Sequence, residues 1–451
     1  MASDDFSSQS PLQRYLRKIS ANPLKVLLLG YGSYIVIAVC LLSLPLCWKD
    51  SPVSFLDNLF IATSAISTTG LVTVNTPEAY NFWGQLVILI AFQLGGLGYM
   101  TVGSFLVMVG NEQLSPFRRR VGSEVFSLPE GFNLQTLIRH TVIFTALVEI
   151  AGILLLTPLF RSEGVGNPLW AAVFHTVSAF CTAGFSVFPN SLEDFRGDFW
   201  INFVISVLSI LGAIGFLVAS DLWQSVTKRR YTMTLTSKII LSFTACFILV
   251  GFLLLLLFDP SIGSLPLGER ILAAWFQAMT ALTTVGFNTH SIGDLGSFSI
   301  FLTLVLMIVG ASPSGTGGGI KTTSISAALG SMWGSLRGYD ETSYMGRRVP
   351  TDRVIAAFSA IVFYLLVFLV GTGLLLIAQT QAFEDIVFEA ASALGTVGLS
   401  RGITGDLTNV GKLIIIVMMY VGRIGPISFG MALLRNPSVP AVKLPEEDLA
   451  V

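Results

Sequence analysis

The chain has 451 residues, 53% of them hydrophobic and only 12% charged, with a net charge of −1. A water-soluble domain carries roughly 25% charged residues, so this composition excludes one and indicates an all-α polytopic membrane protein with lipid as its main solvent. The neutral balance points to no nucleic acid, and neither the four cysteines (Cys40, Cys47, Cys181, Cys246) nor the histidines (His140, His175, His290) have metal-ligand spacing, so no resident metal or cofactor is expected.

The segment 1–23 is polar and lacks an apolar core followed by a cleavage site, so it reads as a cytoplasmic N-terminus and the first apolar stretch as a retained helix. Eight spanning candidates follow, at 24–45, 82–109, 136–158, 200–222, 239–258, 299–335, 354–378 and 411–434. Between consecutive pairs lie shorter apolar segments, 53–67, 168–181, 270–283 and 382–395. At ~1.5 Å per residue these reach about halfway across a ~30 Å hydrocarbon core. They read as re-entrant half-helices. The order long, short, long divides the chain into units 24–111, 112–224, 225–338 and 339–436, with 437–451 as a C-terminal tail.

Basic residues set the orientation. Arg14, Arg17, Lys18 and Lys25, then Arg118, Arg119, Arg120 and Arg139, then Lys228, Arg229, Arg230 and Lys238, then Arg337, Arg347, Arg348 and Arg353, and finally Arg435 and Lys443 flank the units. The positive-inside rule puts these segments and both termini in the cytoplasm. The loops around the short segments hold Lys49, Arg161, Arg196, Arg270, Arg401 and Lys412 among more numerous acids, including Asp57, Glu163, Glu193, Asp194, Asp198, Asp294, Glu384 and Asp406. The half-helices therefore enter from outside, through an acidic mouth that concentrates cations.

The half-helices repeat one pattern: FIATSAISTTG (60–70), FHTVSAFCTAG (174–184), FQAMTALTTVG (276–286) and FEAASALGTVG (388–398). All obey F-x-x-x-[ST]-A-[ILF]-x-T-x-G, and the glycines stand 114, 102 and 112 residues apart. Internal repetition of this kind takes precedence in reading a fold. It predicts four parallel helix–pore-loop–helix repeats around a pseudo-fourfold central pore. Each half-helix aims its partly negative C-terminus at the membrane centre. The T-x-G that follows is irregular backbone at membrane depth, which survives only where it lines a wet or ion-filled cavity. Thr68, Thr69 and Gly70, Thr182, Ala183 and Gly184, Thr284, Val285 and Gly286, and Thr396, Val397 and Gly398 would then form a ring of carbonyls able to replace a cation's water shell. A plain glycine C-cap does not account for four equal copies.

This pattern resembles the pore subunits of the Trk/Ktr/HKT superfamily of potassium transporters, over about residues 24–440, and within it most closely the bacterial Ktr pore subunit. The first repeat begins by residue 24, whereas Trk-type chains usually carry two extra helices ahead of it, and the tail "NPSVPAVKLPEEDLAV" also resembles the Ktr type. The filter is degenerate: only the third and fourth copies have T-V-G, and Gly70 stands where many sodium-selective plant relatives have serine. The resemblance implies potassium as the transported ion, sodium as an activator, a homodimer in the plasma membrane, and control by a cytosolic ring of RCK-type nucleotide-binding subunits (KtrA-like).

The stretch 299–335 is too long for one span. It contains GASPSGTGGGIKTTS (310–324), whose proline and glycines break a helix. It is no phosphate loop, because Ile320 separates Gly319 from Lys321 and the Walker spacing fails. The family has an intramembrane gating loop here, which implies a gate of Ser314, Gly315, Thr316, Gly317, Gly318, Gly319 and Lys321. Arg423 lies mid-helix about 25 residues beyond Gly398 and is expected to face the pore below the filter as a latch or charge barrier, rather than snorkel to the cytoplasm. His175, Gln277 and Glu389 each follow the shared phenylalanine and are expected to brace the filter loops, and Glu149 in a spanning helix calls for a partner.

Two other classes fit less well. Coupled transporters of other solutes often use inverted repeats and midplane ionisable residues, but these repeats are parallel. No paired carboxylates, Ser/His arrangement or metal cluster supports an enzyme. A Na⁺-permeable or Na⁺/K⁺-symporting member of the same superfamily stays open.

Overall fold

In the computed structural model, residues 23–98, 134–227, 232–339 and 341–434 are described. The basic residues Arg14, Arg17, Lys18, Arg118, Arg119, Arg120, Lys228, Arg229, Arg230, Arg435 and Lys443, the tail 437–451 and the end of the second predicted span lie outside them. Helices follow one another in four successions. The first holds α1 (Pro23–Leu42), a short α2 (Phe55–Ile66) and α3 (Phe82–Leu97). The second holds α4 (Leu134–Ser162), a short α5 (Pro168–Phe180), α6 (Phe199–Ala213) and α7 (Phe216–Thr227). The third holds α8 (Leu235–Phe258), α9 (Leu267–Thr283), α10 (Ser297–Val309) and α11 (Thr322–Leu336). A hairpin of β1 (Ser343–Tyr344) and β2 (Arg347–Arg348) leads to the last, α12 (Thr351–Ala378), α13 (Phe383–Gly395), α14 (Asn409–Ile424) and α15 (Pro426–Leu434).

Local chemistry sets the starts. Ser54 caps α2 by accepting the Asp57 N–H (3.1 Å), and Thr408 caps α14 through the Gly411 N–H (3.1 Å). Asn167 with Pro168 opens α5, the Asn167 side chain accepting the Trp170 N–H at 3.3 Å. The stops are glycines. α3, α6, α10 and α14 end at Gly98, Gly215, Gly310 and Gly425, with φ of +78°, +89°, +57° and +88°.

This corrects the predicted spans. The third succession is broken as expected, but so are the second and the fourth: α6 and α7 meet at 97°, and α14 and α15 at 93°. At Gly425 the following Pro426 disfavours a helical residue before it. At Gly215 the cause is tertiary. The carbonyl of Ser314, from the broken stretch of the third succession, takes the Phe216 N–H (3.1 Å), and a side chain on Gly215 would meet Pro313 O at 2.5 Å. Among the described residues four helices are long and apolar enough to cross a bilayer by themselves, within α1, α4, α8 and α12, or six if each bent pair is one span. α3 and α10 have only 16 and 13 residues.

Packing runs in a cycle. α3 touches α5, α6 touches α9, α10 touches α13, and α14 touches α2. Each second helix thus leans on the next short helix, and the last returns to the first. Within a succession, glycine permits near-contact of backbones: a Cβ on Gly95, Gly212 or Gly422 would lie 2.1, 1.9 or 2.2 Å from the carbonyl oxygen of Ile66, Phe180 or Leu394 at the end of the short helix. The outer helices turn apolar side chains outward, Leu154 and Leu369 being 68% and 66% exposed, which suits lipid and not water.

At the C-terminal end of α8, Asp259 accepts hydrogen bonds from Ile262 N (2.8 Å), Ser261 Oγ (2.6 Å) and, across the loop, Gly296 N (3.1 Å). Burial alone would raise its pKa, but these donors outweigh it and hold the carboxyl below its ordinary value. A carboxyl depressed in the folded chain stabilises above its unfolded pKa and loses that contribution as pH falls through the folded one. The purified protein is expected to lose thermal stability below about pH 4, and Asp259→Asn to lower stability at neutral pH while making the acid limb shallower.

Candidate functional site

The four short helices converge, and each ends in the same backbone turn. Thr68, Thr182, Thr284 and Thr396 adopt left-handed φ of 52°, 50°, 57° and 48°, followed by Gly70, Gly184, Gly286 and Gly398 at 93°, 67°, 84° and 93°. A β-branched residue in this region is strained by on the order of 1–3 kcal/mol. The strain is held by bonds back to the helix. The N–H groups of Thr69, Ala183, Val285 and Val397 donate to the carbonyls of Ser64, Ser178, Thr280 and Ser392 at 2.8, 2.8, 3.2 and 2.8 Å.

The hydroxyls of those same serines and threonine grip the glycine end. Ser64 and Ser392 accept from Gly70 N (3.1 Å) and Gly398 N (3.0 Å), while Ser178 and Thr280 donate to the carbonyls of Phe185 (2.8 Å) and Phe287 (2.7 Å). Sequence reasoning left this role unassigned, although the invariant [ST] of the shared pattern was the signal for it.

The four turns close on one another in order. A Cβ on Gly70 would lie 2.5 Å from Ala183 O, on Gly184 2.4 Å from Val285 O, on Gly286 2.1 Å from Val397 O, and on Gly398 2.2 Å from Thr69 O. Only glycine lets each backbone approach its neighbour's carbonyl this closely. Among the described residues no hydrogen bond ends on those four carbonyl oxygens. Thr69, Ala183, Val285 and Val397 are all fully buried. Buried carbonyls without donors are costly, and a bare cation is the partner that satisfies several at once.

The broken stretch 310–321 runs directly against this ring. Thr316 meets two filter threonines: its Oγ1 accepts from Thr182 Oγ1 (3.1 Å) and donates to Phe180 O (3.1 Å), while its carbonyl accepts from Thr68 Oγ1 (3.3 Å). Gly318 N donates to Thr284 Oγ1 (3.0 Å), and a Cβ on Gly318 would meet Thr396 Oγ1 at 2.2 Å. A Cβ on Gly317 would lie 2.5 Å from Thr284 Oγ1. The remaining predicted gate residues sit elsewhere. Ser314 and Gly315 pack in the bend between α6 and α7, and Gly319 closes on Gly310. Lys321 donates to Gly317 O (2.8 Å), fastening the stretch to the start of α11.

Arg423 faces the loop. One guanidinium nitrogen donates to Thr68 Oγ1 (2.9 Å) and to the Thr316 carbonyl, and the other to the carbonyls of Gly95 and Gly96, the latter at 3.3 Å. No acid pairs with it among the described residues. A cavity of about 640 Å³ is lined by Gly315, Gly317, Gly319, Lys321 and Arg423 but by no filter threonine, so the loop stands between that cavity and the ring.

The residues after the shared phenylalanine do brace the segments beyond the glycines. His175 Nε2 lies 2.9 Å from Ser186 Oγ, Gln277 Nε2 donates to His290 O (2.6 Å), and Glu389 accepts from Ser400 Oγ (2.8 Å) and from Thr404. The partner of Glu149 is Gln93, whose Nε2 donates to it at 2.8 Å. At the acidic mouth, Lys412 pairs with Asp57 (2.7 Å) and Arg401 with Asp385 (2.5 Å), so part of the negative charge there is already balanced.

The family model TrkH, described as a cation transport protein, matches residues 33–441. The chain is similar to the Ktr system potassium uptake protein B of Bacillus subtilis, 35% identical over 92% of this chain and 94% of that protein, and to its namesake of Vibrio alginolyticus, 33% identical over 94% and 93%. The potassium/sodium uptake protein NtpJ of Enterococcus hirae is 32% identical over 95% and 97%. Among solved structures, that of the potassium transporter TrkH from Vibrio parahaemolyticus has the same fold, with a TM-score of 0.74 over 96% of this chain and 87% of that one at 20% identity.

Gly286→Ala forces a methyl into Val397 O. Cation-dependent thermal stabilisation of the purified protein is expected to vanish in this variant. Gly263→Ala, where a Cβ meets nothing within 4 Å, should retain it.

Proposed function

The chain belongs to the TrkH family of cation transport proteins, transporters and not enzymes, and from that premise we propose that it takes up potassium through one pore formed by four parallel helix–pore-loop–helix repeats. The observation that carries this reading is the closed cycle in which each filter glycine abuts the next unit's unpaired carbonyl. Four equivalent turns with donor-free oxygens, arranged head to tail, suit a desolvated cation on a common axis. The repeats are 24–111, 112–224, 225–338 and 339–436, with eight passages through the plasma membrane when the bent and short helices are counted. Both termini are cytoplasmic, which the basic flanks support. Potassium as the ion follows from the names of the Bacillus and Vibrio relatives.

The gate in this reading is Thr316, Gly317 and Gly318, latched by Arg423 and Lys321. The loop occupies the inner side of the ring, touching all four filter threonines, and ions pass only when it withdraws. Arg423 holds the closed position by bonding the loop and the first filter segment together, and its fixed positive charge opposes a cation there. Opening breaks those bonds, so control from outside the pore acts on a two-state element. Sodium stimulation, a homodimer and a cytosolic nucleotide-binding ring are the regulatory context that the family resemblance supports. Sodium permeation or symport is the second reading, favoured by the name of the Enterococcus relative.

The test is potassium uptake by a cell deficient in potassium transport, with and without sodium and with a partner ring supplied. Rescue of growth at low potassium is expected. Surface expression without potassium-dependent rescue would falsify the reading, and equal uptake of sodium would favour the second one. Arg423→Ala is expected to raise flux or to free it from regulation, and unchanged uptake kinetics in that variant would rule out the latch.

A further inference from the structure

Glu389 lies on α13, nine residues before the filter glycine Gly398, and its side chain is fully buried. Oε2 accepts from Ser400 Oγ at 2.8 Å, and Oε1 accepts from Thr404 Oγ1. Ser400 stands two residues past Gly398, at the outer end of the fourth filter segment. Its hydroxyl oxygen is itself satisfied by the Gly402 N–H (3.1 Å). The Ser400 hydroxyl therefore directs its proton at the carboxyl group, and the Thr404 hydroxyl lies against both Glu389 and Ser400 Oγ (2.9 Å), a setting in which an ionised carboxylate is an acceptor.

Bracing does not require this charge. The matching position holds His175 in the second unit and Gln277 in the third, and each ties down the corresponding segment with a ring nitrogen or an amide. In the first unit it holds Ile61, which is apolar. An acid in the fourth unit alone needs a separate reason.

Nor is the charge balanced by the protein. Among the described residues Glu389 is in none of the ion pairs. Arg401, the nearest cation in sequence, is committed to Asp385 at 2.5 Å and reaches Glu384 at 3.9 Å. Four residues before Glu389 on α13 stands Asp385, another acid, already paired with Arg401. An isolated buried carboxylate is costly unless a counter-charge is near. On the reading of the ring as a cation filter, one counter-charge enters this region: the ion.

We infer that the transported cation is the counter-ion of Glu389. The carboxylate is a fixed negative charge behind the fourth filter segment, in a ring otherwise built from neutral carbonyl dipoles. It raises the affinity for a desolvated monovalent cation and makes the four-part ring electrically lopsided, with the deepest well beside Val397 and Gly398. By linkage, an ion in the filter stabilises the ionised carboxylate as much as the carboxylate stabilises the ion.

Glu389→Gln isolates the charge, because the amide keeps the size and can still accept from one hydroxyl and donate to the other. In the full chain, expressed with its partner in the potassium-transport-deficient cell, the KM for potassium is expected to rise on the order of 10-fold, with a smaller change in maximal rate. For purified protein, thermal stabilisation by potassium chloride should move to correspondingly higher concentration. Glu389→Asp and Thr404→Val keep the carboxylate and disturb the brace, so both should stay nearer the wild-type potassium dependence than Glu389→Gln. The reverse order, with glutamine behaving as wild type and the other two impaired, reduces Glu389 to a brace and overturns the inference. If Glu389→Gln does not insert, loss of potassium affinity in the two carboxylate-retaining variants overturns it equally. Gly286→Ala separates the two levels. Wild-type potassium response in that variant would sink the filter reading itself, whereas its loss beside an unaffected Glu389→Gln would sink only the counter-ion.

Discussion

Four carbonyl oxygens that no donor reaches among the described residues are the constraint on which this molecule is built. Those of Thr69, Ala183, Val285 and Val397 lie in the interior of a protein whose surroundings are hydrocarbon. Such groups are tolerated only if something supplies a partner. The rest of the central structure holds them in place. Left-handed threonines turn the chain, the serine or threonine hydroxyls of the half-helices clamp each turn from behind, and filter glycines let each backbone approach the next unit's carbonyl to a distance no side chain allows. On the proposed reading of the ring as a cation filter, this rigidity keeps the oxygens from relaxing onto protein donors before an ion arrives.

The same economy of donors governs the loop on the inner side. Arg423 has five N–H donors and, among the described residues, no acid beside it, so four of them go to the carbonyls of Thr316, Gly95 and Gly96 and to the Thr68 hydroxyl. Those partners belong to three different parts of the chain: the broken stretch of the third succession, α3 and the first filter turn. A single guanidinium thus couples the position of the loop to the geometry of the ring. The bend at Gly215 belongs to the same arrangement, because it opens the place in which Ser314 and Gly315 lie.

Much of this was legible before any coordinates. The pattern F-x-x-x-[ST]-A-[ILF]-x-T-x-G marked the four short helices and their turns, because a helix that stops at a fixed distance from its start must change composition there. The break after Val309 was legible for a like reason, since five glycines and a proline cannot continue a helix. By contrast, the bends at Gly215 and Gly425 escaped. A lone glycine in an apolar run is compatible with a straight helix, and what breaks α6 is a carbonyl from the third succession. The pairing of Lys412 with Asp57 was equally hidden, as the two are separated by most of the chain.

The sequence by itself determined the class of protein, the four-part repetition of the motif and the turn residues, because helix length, glycine freedom and the cost of charge in lipid act locally. Tertiary structure alone decided how the four turns meet, which carbonyl each glycine faces and where Arg423 directs its donors. Those outcomes depend on distances between segments about a hundred residues or more apart in the chain, and such distances exist only once the cycle from α3 through α14 back to α2 has closed.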